Sequence, residues 1–364
     1  MIPEDNRFES DPEQALDGEP AALPDDWQFA IPDAGSRADV AQLLALLRAH
    51  EERGRGWASS GEDDVLLETG GAEVRENLVI RDEHGTIRAW GTVNDRAGGR
   101  MVYSHVVDRE LAAGPARACS ELLLEWAESQ ARTVAEARGV EVQQIDCSVF
   151  ADDTTQQRVL ERAGFARVRS WWQMTRPVEA GEVDLVSDPA GWEADGVRVR
   201  VVRRGPDGLP DVEDLREVHE VLESAFVDHF NSHRETFWEF IHRLREEPGH
   251  AWDHWWLAEL LDGEEPVPVG TLVGSVSHSE DGPDGSYVEY LGVLSAARGR
   301  GVAKGLLHTA IADAAQRGRP RIGIEVDADS PTGAQDLYLA MGWQTRYVTE
   351  SWHRDIVVGG DAGR

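Results

Sequence analysis

The sequence predicts a mixed α/β protein made of two successive copies of one unit, each a mixed sheet flanked by helices. Three observations carry this. Strand-like and helix-like segments alternate, and the second half repeats the order of the first. Landmarks recur: Arg162-Ala163-Gly164-Phe165 returns as Ala340-Met341-Gly342-Trp343, 178 residues later, and Leu122-Leu123 as Leu306-Leu307, 184 residues later. The 364 residues are long for one domain and comfortable for two. Periodicity alone does not separate duplication from two unrelated domains; the matched landmarks favour duplication.

Taken in order, residues 1–26 carry nine acidic groups, one arginine and four prolines without a periodic apolar face, and are expected to form a disordered acidic tail. The first copy spans 27–178. Val40, Leu43, Leu44 and Leu47 recur with helix period, predicting a helix over 37–52. Residues 77–93 read as two strands around the turn Asp82-Glu83-His84-Gly85, and 102–107 as a third. A helix over 116–138, a strand over 140–150 and a helix over 154–163 closed by Gly164 follow. Residues 179–195, rich in Gly, Asp, Glu and Pro, read as a linker. The second copy, 196–358, has a strand over 197–202, a helix started by Asp211 and a helix over 237–245. Strands over 255–261, 271–278 and 287–294 come next, then a helix over 305–316, a strand over 321–326, a helix from Thr332 and a strand over 345–356. Residues 359–364 are a tail.

A formal charge of −32, from 68 acidic and 36 basic residues, argues against nucleic acid or an anionic membrane as a general partner. Lys304 is the single lysine, a depletion that a GC-rich coding bias produces. Cys119 and Cys147 make neither a disulfide framework nor a metal-ligand set. The N-terminus lacks the basic and apolar regions of a signal peptide, and no apolar run approaches a membrane span, so a reduced cytoplasm is the expected compartment.

The most informative segment is Arg298-Gly299-Arg300-Gly301-Val302-Ala303-Lys304, between an apolar strand and an apolar helix. A strand, a glycine turn and a helix N-terminus aim several backbone N–H groups at one point, which wants an anion, most naturally a pyrophosphate. The alternative is a surface turn capping an ordinary helix. The segment fits neither the P-loop pattern, which needs Gly-Lys-Ser/Thr, nor a dinucleotide fingerprint with three spaced glycines. Further along, Val326-Asp327-Ala328-Asp329-Ser330-Pro331-Thr332-Gly333-Ala334-Gln335-Asp336-Leu337-Tyr338 ends a strand and carries one tyrosine on a short helix. His229 and His233 sit in a segment joining two helices. They are read as part of a lid over the substrate mouth or as solvated loop residues; no third ligand has metal-binding spacing, so no metal is expected.

Together these blocks resemble the acetyl-CoA and acid-catalyst motifs of the GCN5-related N-acetyltransferases, and the whole chain resembles tandem members of that family of the mycothiol synthase type. The resemblance spans about residues 27–358, with motif specificity from Tyr287 to Trp343. It implies two tandem GNAT-like acyl-CoA N-acyltransferase domains, with acetyl-CoA as co-substrate. It implies that the backbone from Arg298 through Gly299, Arg300, Gly301, Val302 and Ala303 to Lys304 holds the CoA pyrophosphate. Leu291, Gly292 and Val293 would bond the pantetheine arm and polarise the thioester carbonyl. Tyr338, four residues before Gly342, stands where the family places the phenol that protonates the departing thiolate; the alternative is a packing tyrosine. Strand alternation puts Tyr287, Glu289, Leu291 and Val293 on one face, so Glu289 is a candidate base, direct or through a water, and an exposed strand glutamate is the alternative. Tyr287 takes the place of an early carboxylate of the relatives and is a candidate acceptor contact. The acceptor is expected to be a small-molecule primary amine and the protein a monomer or weak dimer; a protein N-terminal or lysine acetyltransferase and a non-catalytic CoA sensor are the alternatives.

The first copy differs at these positions. Opposite the glycine turn it has Ala112-Ala113-Gly114-Pro115-Ala116-Arg117-Ala118-Cys119, where proline removes an N–H donor, and opposite Tyr338 stands Leu160, which has no proton to give. This copy is expected to be degenerate.

Overall fold

Local capping sets most helix ends. The computed structural model describes residues 22–358 apart from 71–74, 97, 228–235, 247–248, 280–281 and 331–332. The chain divides into two units. The first takes the described residues up to Ser170 together with those from Thr349 onward, and the second takes Trp171–Val348.

In the first unit a short β1 (Gln28–Ala30) precedes α1 (Arg37–Arg55), where the Ser36 hydroxyl accepts from the Asp39 N–H at the start and Gly56, at φ 86°, ends the helix. The α2 helix (Glu62–Gly70) has no strong apolar period, but three acidic groups in its first turn suit the positive end of the helix dipole. The strands β2 (Arg75–Arg81), β3 (Ile87–Asp95) and β4 (Arg100–Val107) form an antiparallel meander beside β1. After α3 (Ala113–Arg138), β5 (Val142–Phe150) pairs parallel to β4, and α4 (Thr154–Arg162) follows. Residues 349–357 of the C-terminal strand pair antiparallel to β5. Met101, Leu123, Ile145 and Leu160 are among the fully buried residues of its main core.

The second unit begins inside β6 (Ala166–Pro177), whose residues 171–177 pair antiparallel to β12 (Arg321–Asp327). The 179–195 span contains a 3-10 turn (Ala180–Leu185) and β7 (Gly191–Ala194), which pairs with β8 (Val197–Val201). Asp211 caps α5 (Val212–Ala225) by accepting from Glu213 and Asp214 N–H, and α6 (Phe237–Glu246) follows. The sheet continues through β9 (His250–Leu260), β10 (Val267–Ser277) and β11 (Gly285–Val293), all antiparallel neighbours, and β11 meets β12 in parallel. Helix α7 (Val302–Gln316) starts three residues earlier than expected, because Gly301 at φ 79° supplies a left-handed N-cap and puts Val302–Lys304 in the first helical turn. The short α8 (Ala334–Ala340) and β13 (Gln344–Val357) complete the chain.

Each face of this sheet has its own core. Leu272, Val288, Ile324 and Val326 pack with Leu306 and Leu307 of α7. On the opposite face Trp255 and Val273 pack with Val218, Leu222 and Phe240 of α5 and α6. No helix among the described residues is long and apolar enough to cross a membrane.

Candidate active site

The site begins with a parting of strands. β11 and β12 pair at Ser286–Ile322, Tyr287–Gly323 and Val288–Ile324, and the pairing stops there, while β11 stays paired to β10 as far as Val293. A seam therefore opens between Leu291–Val293 and the end of β12. The register between β10 and β11 also slips: Val273 faces Tyr290 and Gly274 faces Val288, so Glu289 is an extra residue, a β-bulge.

That bulge corrects the expected alternation. Leu291 and Val293 pack with the α7 core, whereas Tyr290 packs with the α5–α6 core. Glu289 accepts from Ser275 Oγ at 2.5 Å, and Ser275 is the cross-strand partner of Tyr287, which places Tyr287 and Glu289 together away from Leu291 and Val293. Gly292 has its own reason: a Cβ there would fall 2.9 Å from Leu222 Cδ2 and 3.2 Å from Ala225 Cβ, so the glycine lets α5 lie close against the strand.

The glycine turn stands at the end of the seam. Gly299 and Gly301 have φ of 77° and 79°, no side chain caps α7, and the N–H groups of Val302, Ala303 and Lys304 form its unsatisfied first turn. That arrangement is chemically an anion cradle. Its charges are unequal. Arg300 is ion-paired with Asp262 in the turn between β9 and β10, at 3.0 Å through Nη2, so its charge is shared and not wholly available to a ligand. Arg298 and Lys304 are exposed and have no ion-pair partner among the described residues. Lys304 also lines a pocket with His308, Arg176, Leu337 and Met341.

Tyr338 lies in the α7-side core with Leu291, Val293 and Val326, 6% exposed, its ring T-shaped to Trp343 at 6.0 Å between centroids. Its hydroxyl has no hydrogen-bond partner among the described residues, and burial pushes its pKa up to about 12. This is a neutral O–H donor held at the seam.

The opposite face carries a polar chain that sequence reading missed. The Gln173 side-chain amide donates to Glu325 Oε2, and Tyr287 Oη donates to Gln173 Oε1 at 3.5 Å. Glu325 reaches solvent yet is ringed by protein atoms; that crowding raises its carboxyl pKa and the Gln173 bond opposes the rise. The available signal was a single charged position between Ile324 and Val326 in an apolar strand; the Gln173 partner comes from another strand and left no local trace. Nearby, Arg243 of α6 donates to Tyr290 Oη at 3.1 Å. His229 and His233 lie outside the described residues. Among the described residues no group of three or more His, Cys, Asp or Glu is placed to hold a metal ion.

The equivalent place in the first unit is filled. His105 of β4 is buried, stacks on Tyr103 at 5.0 Å and is hydrogen-bonded by Gln156 of α4 at 3.0 Å. Arg109 is ion-paired with Asp153, and Leu160 is fully buried. No side chain caps α3 at Ala112.

Two parallel strands that part over a helix N-terminus, with a tyrosine across the seam, define an acyl-CoA-dependent transferase fold. Residues 215–343 match the acetyltransferase (GNAT) family, so the second unit carries a GNAT acetyltransferase domain. The chain is 26% identical over 197 residues to a mycothiol acetyltransferase of Jonesia denitrificans, an alignment covering 54% of this chain and 57% of that protein. The chain thus matches a little over half of that relative's length. Among solved structures it is similar to a GCN5-related N-acetyltransferase from Sphaerobacter thermophilus, with a TM-score of 0.73, 22% identity and coverage of 93% of this chain and 99% of that one. It is also similar to a tandem GNAT protein from the clavulanic acid biosynthesis pathway, with a TM-score of 0.61, 14% identity and coverage of 90% and 98%. At these identities the likeness shows the fold, a tandem GNAT architecture.

Proposed function

We propose that the second unit transfers the acetyl group of acetyl-CoA to the primary amine of a small molecule. The observation that carries this is the open seam with a cradle of N–H groups at its end and, at its side, a buried tyrosine whose hydroxyl has no hydrogen-bond partner among the described residues. The pyrophosphate would rest on Gly299–Lys304 and the pantetheine arm along Leu291–Val293, whose N–H groups would polarise the thioester carbonyl. The amine, on the face of Glu289, gives a proton to that carboxylate or to a water it holds. Its nitrogen then attacks the carbonyl carbon, the C–S bond breaks, and Tyr338 protonates the departing thiolate; Glu289 returns the proton through solvent. Positioning of the two substrates supplies much of the rate gain. A neutral acid suits a phenol whose pKa burial has raised, since it keeps its proton throughout the working range. The test is release of free thiol from acetyl-CoA in the presence of a panel of primary amines. Thiol release that no amine accelerates would overturn the reading.

A further inference from the structure

The face that carries Glu289 holds a second carboxylate to which acetyl transfer, as just described, gives no task. Tyr287 and Gly323 are register partners, and Glu289 and Glu325 each lie two residues further along their strands. The strands part after Val288 and Ile324, so the two carboxylates flank the mouth of the seam from its two sides. Glu325 is held by the Gln173 amide at Oε2, and its Oε1 has no partner among the described residues. An independent sign that a ligand enters this seam is Tyr338, more than nine-tenths buried, whose hydroxyl has no hydrogen-bond partner among the described residues. Arg243, a cation on the same face, is engaged with Tyr290 Oη and lies 5.9 Å from the Phe240 ring centre.

We propose that Glu325 is a specificity-determining residue of the acceptor site: with Glu289 it receives the acceptor's ammonium from two sides and turns away amines that carry a carboxylate beside the amino carbon. The assignment rests on the acetyl-transfer reading for the acceptor's being an amine. An ammonium group has three N–H donors and can serve two carboxylates at once. A carboxylate attached to the neighbouring carbon would meet two like charges, each worth roughly a tenfold loss of affinity at about 6 Å in a half-solvated site. The crowding by protein atoms that raises the Glu325 pKa is offset once a cation sits beside it. The class admitted is primary amines with a neutral neighbouring group, such as alkylamines and amino-acid amides, and the class excluded is free α-amino acids.

The test titrates the CoA-loaded full chain with alaninamide and with alanine near neutral pH by calorimetry, beside acetylation of both. Alaninamide is expected to bind at least about tenfold more tightly than alanine. Glu325→Gln is expected to weaken alaninamide at least about tenfold and to shrink the preference, with CoA affinity unchanged as the check on folding. Glu325→Asp keeps the charge and should retain the preference. Equal binding of the two amines, binding of neither, or a preference untouched by Glu325→Gln overturns the assignment. A Glu325-dependent preference without any acetylation leaves the assignment standing and overturns acetyl transfer; acetylation without the preference does the reverse.

Discussion

Replacing Tyr338 by phenylalanine removes one oxygen from a ring that otherwise stays where it is. The ring is buried against Trp343, and the hydroxyl gives no hydrogen bond to any described residue, so its loss forfeits no internal bond and the core keeps its packing. The variant should therefore bind CoA as the parent does and unfold at nearly the same temperature. On the proposed mechanism, what it loses is the proton for the leaving sulfur. A thiolate is a fair leaving group because alkyl thiols ionise near ~8.5, so the acid is asked for the low end of what general acids supply. That puts the loss at about 10²-fold in kcat, or ~2.7 kcal/mol of barrier. Because the hydroxyl pKa is pushed up to about 12, the parent should show no basic limb from Tyr338 at ordinary working pH. Thiol release under saturating acetyl-CoA and amine measures the change, with calorimetry as the control for CoA binding. A kcat lowered by less than about threefold would show that water protonates the thiolate and that Tyr338 only packs.

Three further outcomes are expected. Gly301→Asp meets no atom within 4 Å of its added Cβ but takes on the strain of a left-handed φ, about 1–2 kcal/mol, so it should fold with a somewhat lowered melting temperature and should weaken CoA at least about thirtyfold by placing a carboxylate in the cradle; the same calorimetry on the parent should give one site per chain, and two equivalent sites would refute the degeneracy of the first unit. Gly323→Ala puts a Cβ 2.8 Å from the Tyr287 ring, which must tilt away from Gln173, so the KM for the amine should rise several-fold while CoA affinity holds; an unchanged KM would separate Tyr287 from acceptor binding. Asp214, fully buried and bonded to Arg200 and Arg203, has its pKa lowered to about 2, against an opposing burial effect, chiefly by the side-chain bonds from those arginines. A lowered carboxyl pKa means stability present above the unfolded pKa near ~4 and lost as pH falls toward 2. Asp214→Asn should cost about 3 kcal/mol in chemical denaturation at neutral pH, and the gap to the parent should narrow in acid.

The features that sequence made legible are those set by neighbours in the chain. The glycine turn could be read because a left-handed N-cap and an apolar helix are local, and the structure moves only the helix start, from 305 to 302. Tyr338 could be read because its distance from Gly342 is fixed by one short helix and its C-terminal turn. Alternation failed at Glu289, since one inserted residue reverses every later side chain and leaves no mark in composition. The Gln173–Glu325 contact was hidden for another reason: 152 positions separate the two residues, and only the pairing of β6 with β12 brings them together.

The filled seam of the first unit resists stepwise change. To open it, His105, Gln156 and Leu160 would all have to change, and the helix start would need glycines. Changing Gln156 first strips a buried imidazole of its partner, at about 1–3 kcal/mol. Changing Leu160 to a smaller residue first hollows a close-packed core, at roughly 2–5 kcal/mol for a Leu-to-Ala-sized loss. Every single step therefore costs stability before any binding is gained. The packing works as a latch: these side chains hold one another in place, so no single substitution opens a cleft there without a cost to the core.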